Sequence, residues 1–575
     1  MDYMERYKKW LDSDKVDEAT KKELLSIKDN ENEIKERFIK DLEFGTGGLR
    51  GIIGAGDNRM NIYTVKKATQ GLCEDIKNKG EEYKNKGVVI AYDSRHKSSE
   101  FAKESALTLA ANGIKAYLFD ELRPTPELSF AVRYKKAAAG IVVTASHNPK
   151  EYNGYKAYGE DGGQLPPESS DYVIGIIDKL DIFDDVLTMD YEKALESGLI
   201  EVIGEEVDKA YLAEVKKQSI NEEAIKSLGD DFKVVYTPFH GAGNKPVRRI
   251  LDMIGVKNVY IVKEQEEPDP DFSTVKSPNP EEKEGFYLAI NLAKEVDADV
   301  IIATDPDSDR VGIVVKDNKG EYVTLSGNQT GMLLCEFILR NRKLNNNLPE
   351  NGAIIKTIVT TAMLYPIANA YNTTVFDVLT GFKFIGEKIK EFEQTGSNEY
   401  LFGFEESYGY LAGTYARDKD AVVATMLIAQ MAADYKKNGK TLYEGLISLY
   451  EEYGYYKDAL YNVVLKGLDG AEKIKAIMKE IRENPPKEVA GHKVERILDV
   501  LKGTILDVES GKEEPSNLPS SNVLKFFLDD NSWFAARPSG TEPKIKFYFG
   551  TVGKEEKEAD DKLDALKDAV SKMIE

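Results

Sequence analysis

The chain has 575 residues, 41% hydrophobic, 10% aromatic and 31% charged, which suits three to five packed domains and excludes a disordered, core-poor chain. Its 100 acidic against 78 basic residues leave a net charge of −22, which argues against a general nucleic-acid or anionic-membrane binder. No apolar run reaches the ~18–20 residues of a bilayer span, the charged start has no signal-peptide core, and two distant cysteines, Cys73 and Cys335, offer neither a disulfide framework nor a cysteine zinc site, so a reducing cytoplasm is expected.

Along the chain one pattern recurs: a short β-branched run, a turn of Gly, Pro or small polar residues, then a helical stretch. The runs fall at 88–92, 114–119 and 140–145, then at 233–236, 259–262 and 299–304, then at 353–359, 374–378 and 400–404. Strands alternating with helices predict βαβ units and mostly parallel sheets. Three blocks of similar size suggest three related α/β domains. The last block differs. Two strands, 533–536 and 545–550, precede Ala559, Leu563, Leu566, Val570 and Met573, spaced as one face of a helix. This predicts a smaller C-terminal α+β domain. The expected domains are 1–205, 206–325, 326–452 and 453–575. The first 43 residues read as helical and charged, with no motif.

Five motifs carry chemistry. Thr144-Ala145-Ser146-His147-Asn148-Pro149 ends an apolar strand, where α/β proteins place ligands. Ser146 there is either a nucleophile or a helix N-cap. The hydrolase elbow is not met, because Thr144 and Asn148 stand where it needs glycines. Asp305-Pro306-Asp307-Ser308-Asp309-Arg310 also follows an apolar strand. Three carboxylates so close repel one another, and a hard divalent cation relieves that repulsion. An EF-hand fits poorly, since Arg310 takes its central glycine position. A haloacid-dehalogenase-type phosphatase with Asp305 as nucleophile is a rival, weakened by Asp309 where Thr or Val belongs.

Arg537-Pro538-Ser539-Gly540-Thr541 lies between the last two strands. Its backbone N–H groups, hydroxyls and guanidinium suit a phosphate, although Pro and Gly also suit an ordinary hairpin. Phe44-Gly45-Thr46-Gly47-Gly48-Leu49-Arg50 and Gly241-Ala242-Gly243 both fail as dinucleotide fingerprints, with Arg50 and Pro246 in the final glycine position. Gly403-Phe404-Glu405-Glu406-Ser407 supplies carboxylates and a hydroxyl fit for sugar hydroxyls, or a solvated turn. Thr380-Gly381 and Lys419 are similarly ambiguous.

In this order, with Tyr92–Ser98 and Asn153–Tyr158 added, these motifs resemble the α-D-phosphohexomutase superfamily from about residue 45 to 548. The tract 144–167 is most similar to its bacterial subgroup akin to the human type 2 phosphoglucomutase, which also holds phosphopentomutases and a glucose-1,6-bisphosphate synthase. The resemblance implies four domains around a central cleft and a cytoplasmic isomerase of phosphosugars. Glucose 1-phosphate and glucose 6-phosphate would interconvert through phosphorylated Ser146, with Mg²⁺ as cofactor and glucose 1,6-bisphosphate as activator and intermediate. Asp305, Asp307 and Asp309 would hold Mg²⁺ with an oxygen of phosphorylated Ser146. Arg537, Ser539, Gly540 and Thr541 would clamp the non-transferring phosphate. Glu405 and Ser407 would read sugar hydroxyls beside Thr380 and Gly381. Arg50, His147 and Lys156 would surround the reacting oxygen, Arg310 and Lys419 would add positive charge, and Thr46 would line the first loop. Lys156 is the first candidate general base, on the expectation that a lysine in a cationic cleft has a lowered pKa; His147 is the second. Tyr408 departs from the glycine of some relatives and bears on sugar choice. Phosphopentomutase, phosphomannomutase, bisphosphate synthase, metal-dependent phosphatase and an inactive sugar-phosphate binder are the alternatives. The expected partner is a small phosphosugar, with no nucleic acid or membrane; oligomeric state is not legible.

Overall fold

A computed structural model describes residues 2–45, 48–465, 468–539 and 544–574. The chain forms two compact units. One comprises the chain up to Leu325 with Ile385–Gly396 and Tyr408–Thr441; the other comprises Ser326–Phe384, Ser397–Ser407 and the chain from Leu442 on. No helix among the described residues is long and apolar enough to cross a membrane.

The first unit holds two mixed sheets. In the larger, the order is Phe44–Gly45, Gly48–Ile52, Tyr152–Gly159, Ala139–Val143, Val88–Tyr92, Ala116–Phe119 and Ile200–Ile203. Ala139–Val143 is buried at every position and pairs in parallel with Val88–Tyr92, as its unbroken apolar run predicts for a central parallel strand. The surprise is its other neighbour. Tyr152–Gly159 returns antiparallel beside it, so Ser146 lies in a tight connection between adjacent strands rather than before a helix. The N-cap reading of Ser146 falls with that. The strands approach closely at Gly154, where a Cβ would sit 2.4 Å from the Thr144 carbonyl oxygen and 2.8 Å from that of Leu49.

The second sheet has the order Tyr322–Leu325, Val311–Lys316, Val300–Thr304, Lys233–Thr237 and Asn258–Ile261. Val300–Thr304 and Val311–Lys316 pair antiparallel, with Thr304 opposite Val311. The triad 305–310 is therefore the loop of a hairpin, not a strand-to-helix turn. The apolar runs of the sequence located Val300–Thr304 but not its return strand.

The first 43 residues form three short helices, Tyr3–Asp12, Glu18–Ser26 and Glu31–Phe38, capped by Asp2, Asp17 and Asn30. Their apolar faces join Tyr63 and Phe183 in a separate aromatic cluster. Trp10 meets Tyr63 and Phe183 edge-on at 5.1 and 5.3 Å between ring centroids and donates Nε1–H to Asp57 at 2.9 Å.

In the second unit, Gly352–Thr357 pairs in parallel with both Thr374–Val378 and Glu399–Glu405. The last domain is built on an antiparallel sheet ordered Tyr455–Val464, Lys544–Gly553, Trp533–Pro538, Leu524–Leu528, His492–Asp499, Thr504–Asp507 and Glu513–Pro515. The two strands read from sequence are its Trp533–Pro538 and Lys544–Gly553. The others carry no long apolar run: Leu524–Leu528 is almost wholly buried but interrupted by Lys525, and the outer strands Thr504–Asp507 and Glu513–Pro515 are partly or fully exposed. Helices Leu468–Glu483 and Glu556–Ile574 cover the sheet through Ile474, Met478, Leu566 and Val570. Met573, assigned by spacing to the apolar face, is exposed at the helix end.

Two outcomes follow. Trp10→Ala should cost about 3–5 kcal/mol of the local stability, the usual penalty for emptying a buried aromatic site, read by urea unfolding monitored in the near-ultraviolet. Both thiols are fully buried and held high by that burial, so neither should react with a thiol reagent until the chain unfolds.

Candidate active site

The Ser146 turn is held by a buried frame that motif reading named but gave no role. Ser146 has φ of +52°, a left-handed conformation rare for serine that the surroundings must enforce. Its N–H donates to Thr144 Oγ1 at 2.8 Å, and that hydroxyl donates to Asp93 Oδ2 at 2.7 Å. Asp93 Oδ1 accepts from Ser98 Oγ at 2.6 Å and from the Arg95 N–H at 3.0 Å. The fully buried Arg95 guanidinium donates to four carbonyls of the turn: Ser146, Asn148, Pro149 and Tyr152. Asp93 balances its charge at 3.3 Å.

The serine hydroxyl so displayed donates to Asp305 Oδ2 at 2.8 Å and lies 3.1 Å from His147 Nδ1. Asp305, Asp307 and Asp309 are all buried, with one oxygen from each within 4.8 Å of the others. The hairpin loop explains the clustering. Asp305 Oδ1 accepts the N–H groups of Asp309 and Arg310 at 3.1 and 3.0 Å, curling the loop around the first carboxylate. Ser308 takes φ of +51° to complete the curl.

Apart from Arg310, which belongs to the loop, the cations around it come from elsewhere in the chain. Lys156 Nζ is 2.8 Å from Asp307 and 3.3 Å from Asp309. Lys419 Nζ lies 3.2 Å from Asp309 and 2.9 Å from Asp418. Arg310 pairs with Glu281 at 2.8 Å. Arg50, on the strand beside Tyr152–Gly159, donates to Asn148 Oδ1 at 3.3 Å. Thr125 holds Asp307 twice, by its hydroxyl to Oδ2 at 2.7 Å and by its N–H to the carbonyl at 2.9 Å.

These neighbours divide the titrations. Burial and the other two carboxylates push Asp305 well above the usual carboxylate range. Burial pushes Asp307 the same way, but Lys156 and Thr125 outweigh it and hold Asp307 low. Asp309 is likewise lowered: burial and Asp307 oppose this, Lys419 and Lys156 prevail. His147 is held well below its ordinary value by burial, then by Arg310 and Arg50, so its ring is neutral near pH 7. Lys156 differs from expectation. Burial lowers it, but Asp307 and Asp309 overcome that and leave it raised; it faces anions here, not a cationic surrounding.

The residues present fit a metal ion. Asp307 Oδ1 and Asp309 Oδ1 are buried and have no hydrogen-bond partner. Orphaned anionic oxygens are costly in a protein interior, and three clustered carboxylates form the hard donor set of a divalent cation.

The other described residues of the expected site lie in the second unit. Glu405, buried at the end of Glu399–Glu405, accepts the Gly381 N–H at 2.7 Å; Gly381 has φ of +122°, which a side chain would strain. Thr380 and Ser407 flank this contact and are partly exposed. Glu406 accepts from Thr357 and Thr360 hydroxyls at 3.1 and 3.2 Å. Arg537 and Ser539 are partly exposed at the end of Trp533–Pro538, and the Ser539 N–H closes its loop onto the Lys544 carbonyl at 2.7 Å. Thr46, Gly540 and Thr541 lie outside the described residues.

Sequence reading missed a buried charge group in this unit. Lys525 Nζ donates to the Ile358 carbonyl at 2.6 Å and sits 3.9 Å above the Trp533 ring. Lys356 pairs with Asp377 at 2.7 Å. Burial, reinforced by Lys356, lowers Lys525 to about 7, and burial raises Asp458 to about 7. These contacts tie the strand bearing Arg537 to the 357–360 segment. An isolated lysine in a strand gives no sequence signal of such a role.

Mixed α/β sheets, a serine on a strand-to-strand turn and a buried carboxylate hairpin define an α/β protein whose acidic loop fits a divalent cation beside a serine hydroxyl. Comparison with known proteins names the family. The chain matches the phosphoglucomutase/phosphomannomutase family in all four of its parts: alpha/beta/alpha domain I over residues 41–182, domain II over 209–320, domain III over 326–453 and the C-terminal domain over 462–568. It belongs to that family. It is 40% identical over 518 residues to a phosphoglucomutase of Staphylococcus haemolyticus, covering 89% of this chain and 91% of the relative. It is 38% identical over 540 residues to that of Staphylococcus saprophyticus, covering 94% and 95%. Among solved structures, Paramecium parafusin, a phosphoglucomutase in an open form, matches with a TM-score of 0.68 at 19% identity, covering 93% and 94%. A phosphoglucomutase/phosphomannomutase family protein of Burkholderia thailandensis gives 0.67 at 18%, covering 92% and 96%. These two likenesses concern the fold.

Removing one member of the Asp93–Arg95 frame leaves a buried charge or several carbonyls unpaired. Arg95→Met should therefore destabilise the first unit by about 3–5 kcal/mol, and the double variant Asp93→Asn/Arg95→Met by less than the sum of the single changes. Urea unfolding of the four proteins checks this; strict additivity would show that the pair is not coupled.

Proposed function

We propose that the chain is a phosphoglucomutase, an isomerase-class phosphotransferase interconverting glucose 1-phosphate and glucose 6-phosphate through phosphorylated Ser146 and a glucose 1,6-bisphosphate intermediate. The observation that carries this reading is the Ser146 hydroxyl 2.8 Å from a buried three-carboxylate loop that retains two unpartnered oxygens. The staphylococcal relatives named phosphoglucomutase support the choice of substrate.

Mg²⁺ is the proposed ion on Asp305, Asp307 and Asp309, and when bound it supplies charge stabilisation at the serine oxygen. Everything else falls to the chain's own groups. Arg95 and Asp93 fix the serine turn. Phosphoryl transfer depends mainly on positioning and charge, so Arg50, Lys156, Arg310 and Lys419 are assigned to the phosphoryl oxygens. A charged Lys156 suits that role better than proton removal, and the uncharged His147 ring beside Ser146 Oγ is the better proton acceptor. Glu405 and Ser407, with Thr380 and Gly381, are assigned to sugar hydroxyls. Arg537, Ser539, Gly540 and Thr541 are assigned to the phosphate that is not being transferred. Glucose 1-phosphate takes the serine's phosphoryl group on its 6-hydroxyl; the bisphosphate then turns end for end and returns its 1-phosphate to Ser146. The intracellular phosphosugar pool is the proposed setting.

A mutase assay with Mg²⁺ and catalytic glucose 1,6-bisphosphate tests this. Glucose 1-phosphate should exceed mannose 1-phosphate and ribose 1-phosphate in kcat/KM. Ser146→Ala should lower turnover at least ~10³-fold, as loss of a covalent nucleophile does. Chelation should abolish activity and Mg²⁺ restore it. Asp307→Asn should weaken Mg²⁺ binding by calorimetry and reduce turnover about 10²–10³-fold. Preference for the pentose would move the substrate assignment. Free phosphate released equally by wild type and Ser146→Ala, with no isomerisation, would overturn the serine mechanism.

A further inference from the structure

Away from the serine–carboxylate site, the first unit contains a cavity of about 290 Å³. Its apolar wall includes Leu122, Leu212 and Pro246, and Glu127 also lines it. The Glu127 side chain is 1% exposed, and its Oε1 has no hydrogen-bond partner. The nearest cation, Arg123 Nε, is 4.0 Å away and already committed to Asp208 at 2.7 Å. The carboxyl shares a hydrogen bond with Asp208, which leaves Oε1 as an open acceptor position. Burial, then the adjoining Asp208, pushes Glu127 well above the usual carboxylate range. An acceptor oxygen with Arg123 and Asp208 already paired beside it suits a hydroxyl better than an ammonium group.

The rim has a different chemistry. Lys245, Arg248 and Arg249 also line the cavity and stand on the first turns of the ten-residue helix Asn244–Met253. Their partners are rim carboxylates: Lys245 with Glu121 at 2.5 Å, Arg248 with Glu266 at 2.6 Å, Arg249 with Glu205 at 3.0 Å. In the first and third pairs both members are exposed. Such pairs contribute little, and a phosphate at a helix N-terminus replaces them with charge-assisted bonds.

We propose that this cavity is an effector site for a small phosphorylated polyol, with hydroxyls on Glu127 and the phosphate on Lys245, Arg248 and Arg249. Its walls reach the carboxylate hairpin by two routes. Thr125, two residues before Glu127 on helix Thr125–Lys135, bonds Asp307. The Ala242 N–H donates to the Pro306 carbonyl at 2.8 Å, and at Gly241 a Cβ would lie 2.4 Å from Pro306 Cα. A ligand that spreads or tightens this wall therefore shifts the loop carrying the three carboxylates.

Glycerol 3-phosphate is a suitable probe, because it has no ring and no anomeric phosphate. Calorimetry on the full chain should give a Kd below about 1 mM. The rim variant Lys245→Ala/Arg248→Ala should bind at least tenfold more weakly, while melting close to wild type, because both side chains are exposed and Glu266 keeps Lys263 as a partner. Arg248→Ala, the milder change, should weaken binding severalfold. Arg537→Ala should bind as wild type does. Probe binding should also alter hydrogen exchange of the 305–310 amides. Unchanged affinity in both rim variants, binding lost in Arg537→Ala, or no heat and no exchange change up to about 10 mM would overturn the site. None of these readouts depends on the mutase reading, so failure of one leaves the other standing.

Discussion

Three carboxylates buried on a six-residue hairpin loop are the constraint around which the first unit is organised. Left alone, Asp305, Asp307 and Asp309 would repel one another and lose their hydration together. The chain answers with charge and hydrogen bonds from remote segments: Lys156 from a strand of the first sheet, Lys419 from beyond residue 400, Thr125 from a helix start and two N–H groups of the loop itself. Two oxygens stay unmatched. That residue of unsatisfied negative charge is what a divalent cation would neutralise, and the Ser146 hydroxyl is already turned toward it.

Holding the serine there demands a second buried ion pair. A left-handed serine between two adjacent strands has no helix to stabilise it, so its carbonyls must be satisfied by side chains. Arg95 does this at four of them, and Asp93 neutralises Arg95 while fixing Thr144. The serine turn and the carboxylate hairpin thus follow one design: a strained loop whose polar groups are matched by buried charges from other elements. In both, stability is given up for fixed position.

The second unit uses the same means for a different end. Lys525 and Lys356 lie in apolar, aromatic surroundings with Asp377 and Asp458 near them, and they connect the strand of Arg537 to the 357–360 segment. Glu405 accepts the Gly381 N–H. These loops are therefore braced by their own framework.

The central strands, the alternation of strand and helix, and the site loops were legible in the sequence, because a parallel strand buried on both faces writes itself as an unbroken apolar run and the reactive loops follow such runs. The resemblance carried by the loops led to the family directly. Tyr152–Gly159, Val311–Lys316 and most of the last sheet were not legible: Tyr152–Gly159 is interrupted by Gly, Asn and Lys, Val311–Lys316 is a short buried run that nothing local marks as an antiparallel return strand, and the outer strands of the last sheet are partly or fully exposed. Met573 shows the same limit: spacing gives a helical face, but only packing decides where that face ends. The roles of Arg95, Thr125 and Lys525, and the raised rather than lowered Lys156, were decided by tertiary structure alone. Local sequence sets which groups a loop carries. Which opposite charges meet them, and hence whether a lysine is lowered by cations or raised by carboxylates, depends on segments more than a hundred residues away.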